Sequence, residues 1–132
     1  MIKPSILIVE RGVDERELYG EYFAWAGFRV ALATSGVEGF QKAVRLRPDV
    51  ITAGFDPLDV NAIGLCTRLK GDVRTCDIPV VIVTARAYRD DCDRARAAGA
   101  DAVLPKPCLP KVLLTRTRQL MRRASQVKSP RV

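Results

Sequence analysis

The 132-residue chain is 48% hydrophobic and carries a net charge of +7. That length and composition fit one ordinary α/β-sized domain with a core of its own and exclude a disordered composition. No apolar run approaches the roughly 20 residues of a membrane span, and the Met-Ile-Lys-Pro start lacks a secretory pattern, so a cytoplasmic location is expected.

The charge is unevenly spread. Residues 1–109 carry 15 basic and 15 acidic side chains, whereas Lys111, Arg116, Arg118, Arg122, Arg123, Lys128 and Arg131 follow with no acid among them. Such a segment can attract nucleic acid or an acidic partner, but a solvated helix face explains it more simply. The four cysteines, Cys66, Cys76, Cys92 and Cys108, form no Cys-x-x-Cys pair, and histidine is absent. That disfavours zinc and suits reduced thiols.

Taken in chain order, five short apolar runs alternate with amphipathic segments. Ser5–Val9 reads as a first strand, and Asp14–Ala26 as a helix closed by Gly27. Phe28–Ala33 is a second strand. Ser35 with Glu38 three residues on forms a capping-box pattern opening a second helix. Val50–Phe55 is a third strand, followed by a helix from Asn61 to Lys70 before Gly71. Val80–Thr84 is the fourth strand, Tyr88–Ala98 the fourth helix before Gly99, and Ala102–Leu104 a short fifth strand. Pro110 occupies the first turn of a last helix. Residues 1–124 are expected to form the domain, and residues 125–132 a basic, flexible tail.

Strands this uniformly apolar suit a parallel sheet covered on both faces, so the fold expected is a doubly wound α/β sheet. In such sheets the working crevice lies beyond the carboxyl ends of the strands. The residues to watch are therefore Glu10 to Gly12, Gly54 to Asp59, Thr84 to Arg86 and Pro105 to Cys108. No nucleophile–base constellation or glycine-rich phosphate loop is present, so a conventional enzyme is not expected.

These corners, the stretch Leu65–Thr84 (LCTRLKGDVRTCDIPVVIVT) and the run Gly99-Ala-Asp-Ala-Val-Leu-Pro-Lys106-Pro107 resemble the receiver domains of response regulators. The resemblance spans about Ile6 to Met121. It implies a flavodoxin-like (βα)5 domain with five parallel strands in the order 2-1-3-4-5. It also implies phosphoryl transfer to an aspartate ending the third strand. Acids after the first strand hold Mg²⁺ there, and a hydroxyl and a lysine contact the phosphoryl oxygens.

Only part of that set is present. Thr84 matches the hydroxyl position and Lys106 the lysine, and Pro107 is the candidate for a cis peptide. The acidic pair becomes Glu10 and Arg11, which places a permanent cation where a metal ligand belongs. The acceptor position falls on Gly54, which has no side chain to modify. The Pro four residues past the acceptor becomes Leu58, the later Gly becomes Ala62, and the switch aromatic becomes Val103.

The expectation is thus a degenerate receiver with no cofactor and weak or absent Mg²⁺ binding. It would act through a protein partner: a histidine kinase, an output domain, another regulator, or a second copy through helix four, strand five and helix five. Arg11 is expected either to pair with Glu10 or Asp56 or to point to water. Two alternatives stay open: Asp56 as a displaced acceptor, and nucleic-acid binding through the basic last helix and tail. Nucleic acid is the less favoured partner, and a membrane is not expected.

Overall fold

The computed structural model describes residues 2–54, 60–85 and 89–128; the side chains of Val60, Asn61, Val127 and Lys128 are outside the description. Ten elements alternate: β1 (Ser5–Glu10), α1 (Val13–Trp25), β2 (Arg29–Ala33), α2 (Gly36–Leu46), β3 (Val50–Gly54), α3 (Val60–Gly71), β4 (Val80–Thr84), α4 (Arg89–Ala97), β5 (Ala102–Pro105) and α5 (Pro110–Lys128). The strands form one parallel sheet in the order β2-β1-β3-β4-β5. This is the flavodoxin-like arrangement that the resemblance implies.

The central strands are apolar along their length because helices cover both faces. Every residue of β3 and β4 is buried. On one face Leu7, Val9, Ile51, Val80 and Ile82 pack with Ala62, Leu65, Leu69 and Ala95. On the other, Ile6, Ile8, Val50, Val81 and Val83 pack with Phe23, Phe28, Leu113 and Leu120. Phe23 meets Phe28 edge-on with ring centroids 5.1 Å apart.

Polar groups fix the corners. Ser35 Oγ accepts from the Glu38 N–H at 3.1 Å, while the Glu38 carboxylate accepts from the Thr34 N–H at 2.6 Å. The reciprocal cap therefore lands one residue earlier than the capping-box pattern predicts. Asp49 accepts from the Ser5 N–H at 2.8 Å, tying the start of β3 to that of β1. Asp101 accepts from the Val80 N–H at 2.8 Å and from Lys70 at 2.9 Å, which joins α3, β4 and β5.

Gly27 (φ 100°) and Gly99 (φ 110°) follow α1 and α4 in the left-handed region, where glycine carries no steric penalty. Several element ends differ from expectation by a residue or more, and the end of α2, which the sequence leaves open, is also set by the fold. β2 begins at Arg29 because the Phe28 ring turns into the core. α2 ends on Arg47 in the left-handed region (φ 48°), with no glycine to announce it. α5 continues past Ser125 to Lys128, so part of the expected tail is helical; residues 129–132 lie outside the description. All four cysteines are free. Among the described residues no helix is long and apolar enough to cross a membrane.

Candidate functional site

The crevice at the carboxyl ends of β1, β3, β4 and β5 is centred on Glu10. Sheet order makes β1 and β3 neighbours, and their register sets Glu10 opposite Gly54. Glu10 is only 4% exposed. Its carboxyl lies over Gly54: a Cβ at that position would sit 1.7 Å from Glu10 Oε2 and 2.8 Å from Glu10 Cδ. The room in which a side chain at position 54 would begin is thus filled by the carboxyl of residue 10.

Lys106 is the cation that answers it. Its Nζ lies 3.5 Å from Glu10 Oε2 and 3.2 Å from Glu15 Oε2, and its side chain is 12% exposed. Its backbone N–H donates to the Thr84 carbonyl at 2.9 Å, which ties it to the end of β4; the Lys106–Pro107 peptide is cis. Glu15 reaches Lys106 from the first turn of α1, where Gly12 leaves room; a Cβ on Gly12 would meet Glu15 Oε2 at 2.7 Å.

Arg16 donates to the carbonyls of Glu10 at 2.9 Å and Arg11 at 3.3 Å, which steadies the turn out of β1. The Tyr19 hydroxyl donates to the Cys108 carbonyl at 2.7 Å and anchors the β5–α5 turn. Burial pushes the Tyr19 phenol up to about 12.

The electrostatics follow from this crowding. Burial raises the Glu10 carboxyl to about 7, against the lowering influence of Lys106 and the Gly12 N–H; the charge of nearby Glu15 adds to the rise. Lys106 offsets only part of the cost of removing the Glu10 charge from water.

The structure brings Glu10, Gly54, Thr84 and Lys106 together at the carboxyl end of the sheet. Thr84 is fully buried at the end of β4, beside Pro105 in the sheet register. Val103 is half-buried against the α4 side of the core. Arg11 departs from one expectation: the cation on Glu10 is Lys106, and Arg11 is exposed. The sharp turn after Glu10 sends residue 11 outward, to the rim of a depression of about 360 Å³ with Ser35, Val37, Gly64 and Arg68. Asp56, Leu58 and Asp59 lie outside the described residues, as do Arg86 and Tyr88.

Three contributors were not singled out from sequence: Glu15, Arg16 and Tyr19. Their signal is the i, i+4 spacing of Glu15 and Tyr19, which puts both on the flank of α1 facing Lys106.

Glu10 and Glu15 both face the Lys106 ammonium, and among the described residues no three potential metal ligands cluster.

Comparison with known proteins places this site in a family. Residues 6–118 match the family model for the response regulator receiver domain. The chain is 35% identical over 124 residues to the DNA-binding dual master transcriptional regulator RpaA of a Synechocystis species, covering 94% of this chain and 52% of that protein. It is 30% identical to the phosphate regulon transcriptional regulatory protein PhoB of Pseudomonas aeruginosa, covering 93% of this chain and 54% of that protein. The chain therefore spans about half the length of the curated relatives it matches.

Among solved structures, a putative response regulator from Chloroflexus aurantiacus superposes with a TM-score of 0.84 at 25% identity, over 92% of this chain and 99% of that one. The chemotaxis response regulator CheY4 of Vibrio cholerae gives 0.82 at 22% identity, over 90% of this chain and 99% of that one, a likeness of fold. The chain belongs to the response regulator receiver domain family of two-component signalling.

Proposed function

We propose that this receiver works without phosphorylation, as a cytoplasmic signalling module that binds a protein partner and is not itself an enzyme. One observation carries the reading: the Glu10 carboxyl occupies the room where a side chain on residue 54 would begin, and Lys106 is already bound to it. Phosphoryl transfer to an aspartate needs an acceptor oxygen, a metal and an uncommitted cation around the incoming group. Here Gly54 supplies no oxygen. Lys106 is shared between two carboxylates, and Glu10, the one acid kept of the expected pair, faces it. Val103 offers no ring to couple a hydroxyl movement to the surface.

Output then comes from a surface present at all times. The β5–α5 side offers one. Leu109 is 69% exposed, and Val112 (49%) lines a depression of about 300 Å³ with Leu104, Thr115 and Arg116. A histidine kinase, an output domain or another regulator are the partners this face suits. The relatives' greater length favours a regulator with a further domain, joined to this chain or separate from it.

The test is incubation with Mg²⁺ and acetyl phosphate beside a conventional receiver, read by intact mass and hydroxylamine sensitivity. The proposal expects no adduct here while the control is modified. A hydroxylamine-labile adduct lost in Asp56→Asn overturns it in favour of a displaced acceptor.

A further inference from the structure

Two arginines stand over one depression with no described acid to answer them. Arg11 and Arg68 line the depression of about 360 Å³ between the turn after β1, the start of α2 and α3. Its other described walls are Ser35, Gly36, Val37, Gly64 and Leu65, so among the described residues no carboxylate lines it. Among those residues neither arginine takes part in an ion pair. Acids close by in the chain are engaged elsewhere. Glu10, the residue before Arg11, pairs with Lys106. Asp72, one turn after Arg68, is held by Arg74 through two bonds of 2.7 and 3.0 Å. Glu38, in the first turn of α2, accepts from the Thr34 N–H and lies 3.6 Å from Lys42. Asp14, three residues after Arg11, pairs with neither arginine.

Arg68 is held in place across two helices. Its guanidinium carbon lies 4.1 Å from the centroid of the Phe40 ring, so a cation carried by α3 is stacked on α2. Phe40 follows Gly36 by one helical turn, and Arg68 follows Gly64 by one. The two glycines therefore lie on the same side of the stacked pair, toward the carboxyl ends of the strands, which is where the turn after Glu10 delivers Arg11. The space over Gly64 is open: a Cβ there would meet no described atom within 4 Å. Leu65 beside it is buried and closes the floor. At the opposite wall Ser35 Oγ accepts from the Glu38 N–H, which leaves the Ser35 O–H to donate, and the positive end of the α2 dipole adds to the two guanidinium charges.

We infer that this depression is a binding site for the phosphate or diphosphate group of a small ligand, held by Arg11 and Arg68. Two permanent cations with no described acid between them match a group of two or more negative charges, and the planar guanidinium fork suits phosphoryl oxygens. A volume of about 360 Å³ accommodates such a group with a small remainder, at the lower end of small-ligand pockets. The site is distinct from the Glu10–Lys106 crevice, whose lysine is shared between two carboxylates.

Amide NMR of the nitrogen-labelled full chain tests this in metal-free buffer, with inorganic diphosphate and adenosine diphosphate added separately to about 10 mM. Saturable shifts of the Gly36, Val37 and Gly64 amides are expected, with a Kd of about 1 mM or below. Arg11→Gln combined with Arg68→Gln should weaken binding by about tenfold or more. Gly64→Met, which fills the open space and keeps both arginines, should weaken it as much. Arg45→Gln, an exposed arginine further along α2, should leave binding unchanged. Amide dispersion in the same spectra shows that each variant is folded. Equal affinity for the two probes supports a site for the diphosphate group alone, and tighter adenosine diphosphate supports one that also seats the nucleoside. Shifts that stay linear to the highest concentration overturn the inference. So does binding that survives the double arginine variant or Gly64→Met, or shifts centred on the basic residues of α5.

Discussion

Glu10→Gln isolates the charge at the centre of the crevice. Glutamine keeps the size of the side chain and cannot ionise. In the unfolded chain a glutamate titrates near 4.5, whereas in the fold Glu10 titrates near 7, chiefly through burial. The folded state therefore holds a proton that the unfolded state has already released, and stability falls as pH rises between those two values. At about 1.4 kcal/mol per unit, the whole displacement corresponds to about 3 kcal/mol, most of it accrued above pH 5. Urea denaturation at pH 5 and pH 8.5 should show the variant gaining on the natural chain by about 2–3 kcal/mol between the two conditions. With an m value of about 2 kcal/mol per M, that is a relative shift of the midpoint of about 1 M or more. An equal effect at both pH values, or a variant relatively less stable at pH 8.5, would refute the idea of a buried, under-compensated carboxylate.

The remaining predictions concern neighbouring features. Gly54→Ala pushes a methyl into the Glu10 carboxyl and should cost about 1–3 kcal/mol in urea denaturation. In a Glu10→Ala background the same change should cost less than about 0.5 kcal/mol, because the obstruction is gone. Ser35→Ala removes the cap of α2 and should cost about 1 kcal/mol by the same assay. Burial pushes the Cys66 thiol up to about 12, so a disulfide reagent at pH 8 should modify Cys76 and Cys92 in the native chain and spare Cys66 until unfolding. Rapid native labelling of Cys66 would show that α3 opens readily.

Much of this architecture is legible in the sequence because its strands are buried on both faces. Runs such as Val80–Thr84 have no alternation to misread, and punctuation by Gly27 and Gly99 marks two helix ends correctly. Arg47 is different. It takes the left-handed conformation between α2 and Pro48, and an arginine gives no local notice of that. The length of α5 is likewise hidden, since the basic segment beyond Ser125 carries too few apolar residues to mark a buried helix face.

The site was half legible. Gly54, Thr84 and Lys106 are identified by position along strand ends. What fills the room beside Gly54 is a non-local matter. It depends on β1 and β3 being sheet neighbours in a register that sets Glu10 across from Gly54. Glu15 was missed for a related reason. It follows Glu10 by five residues, but the turn at Gly12 folds the chain back so that both carboxyls reach one lysine. Arg11 looks like the substitute cation in one dimension, whereas the direction of that turn sends it to the rim.

On the reading proposed above, the Glu10 carboxyl, held by Lys106 over Gly54, takes the acceptor's place and closes the metal site. Carbon-detected NMR of the glutamate side-chain carboxyls tests it most directly. The account predicts one glutamate resonance titrating near pH 7, absent in Glu10→Gln and unmoved by millimolar Mg²⁺. A Glu10 resonance that titrates near 4.5, or that shifts saturably with Mg²⁺, would contradict it and describe an open, metal-binding receiver pocket.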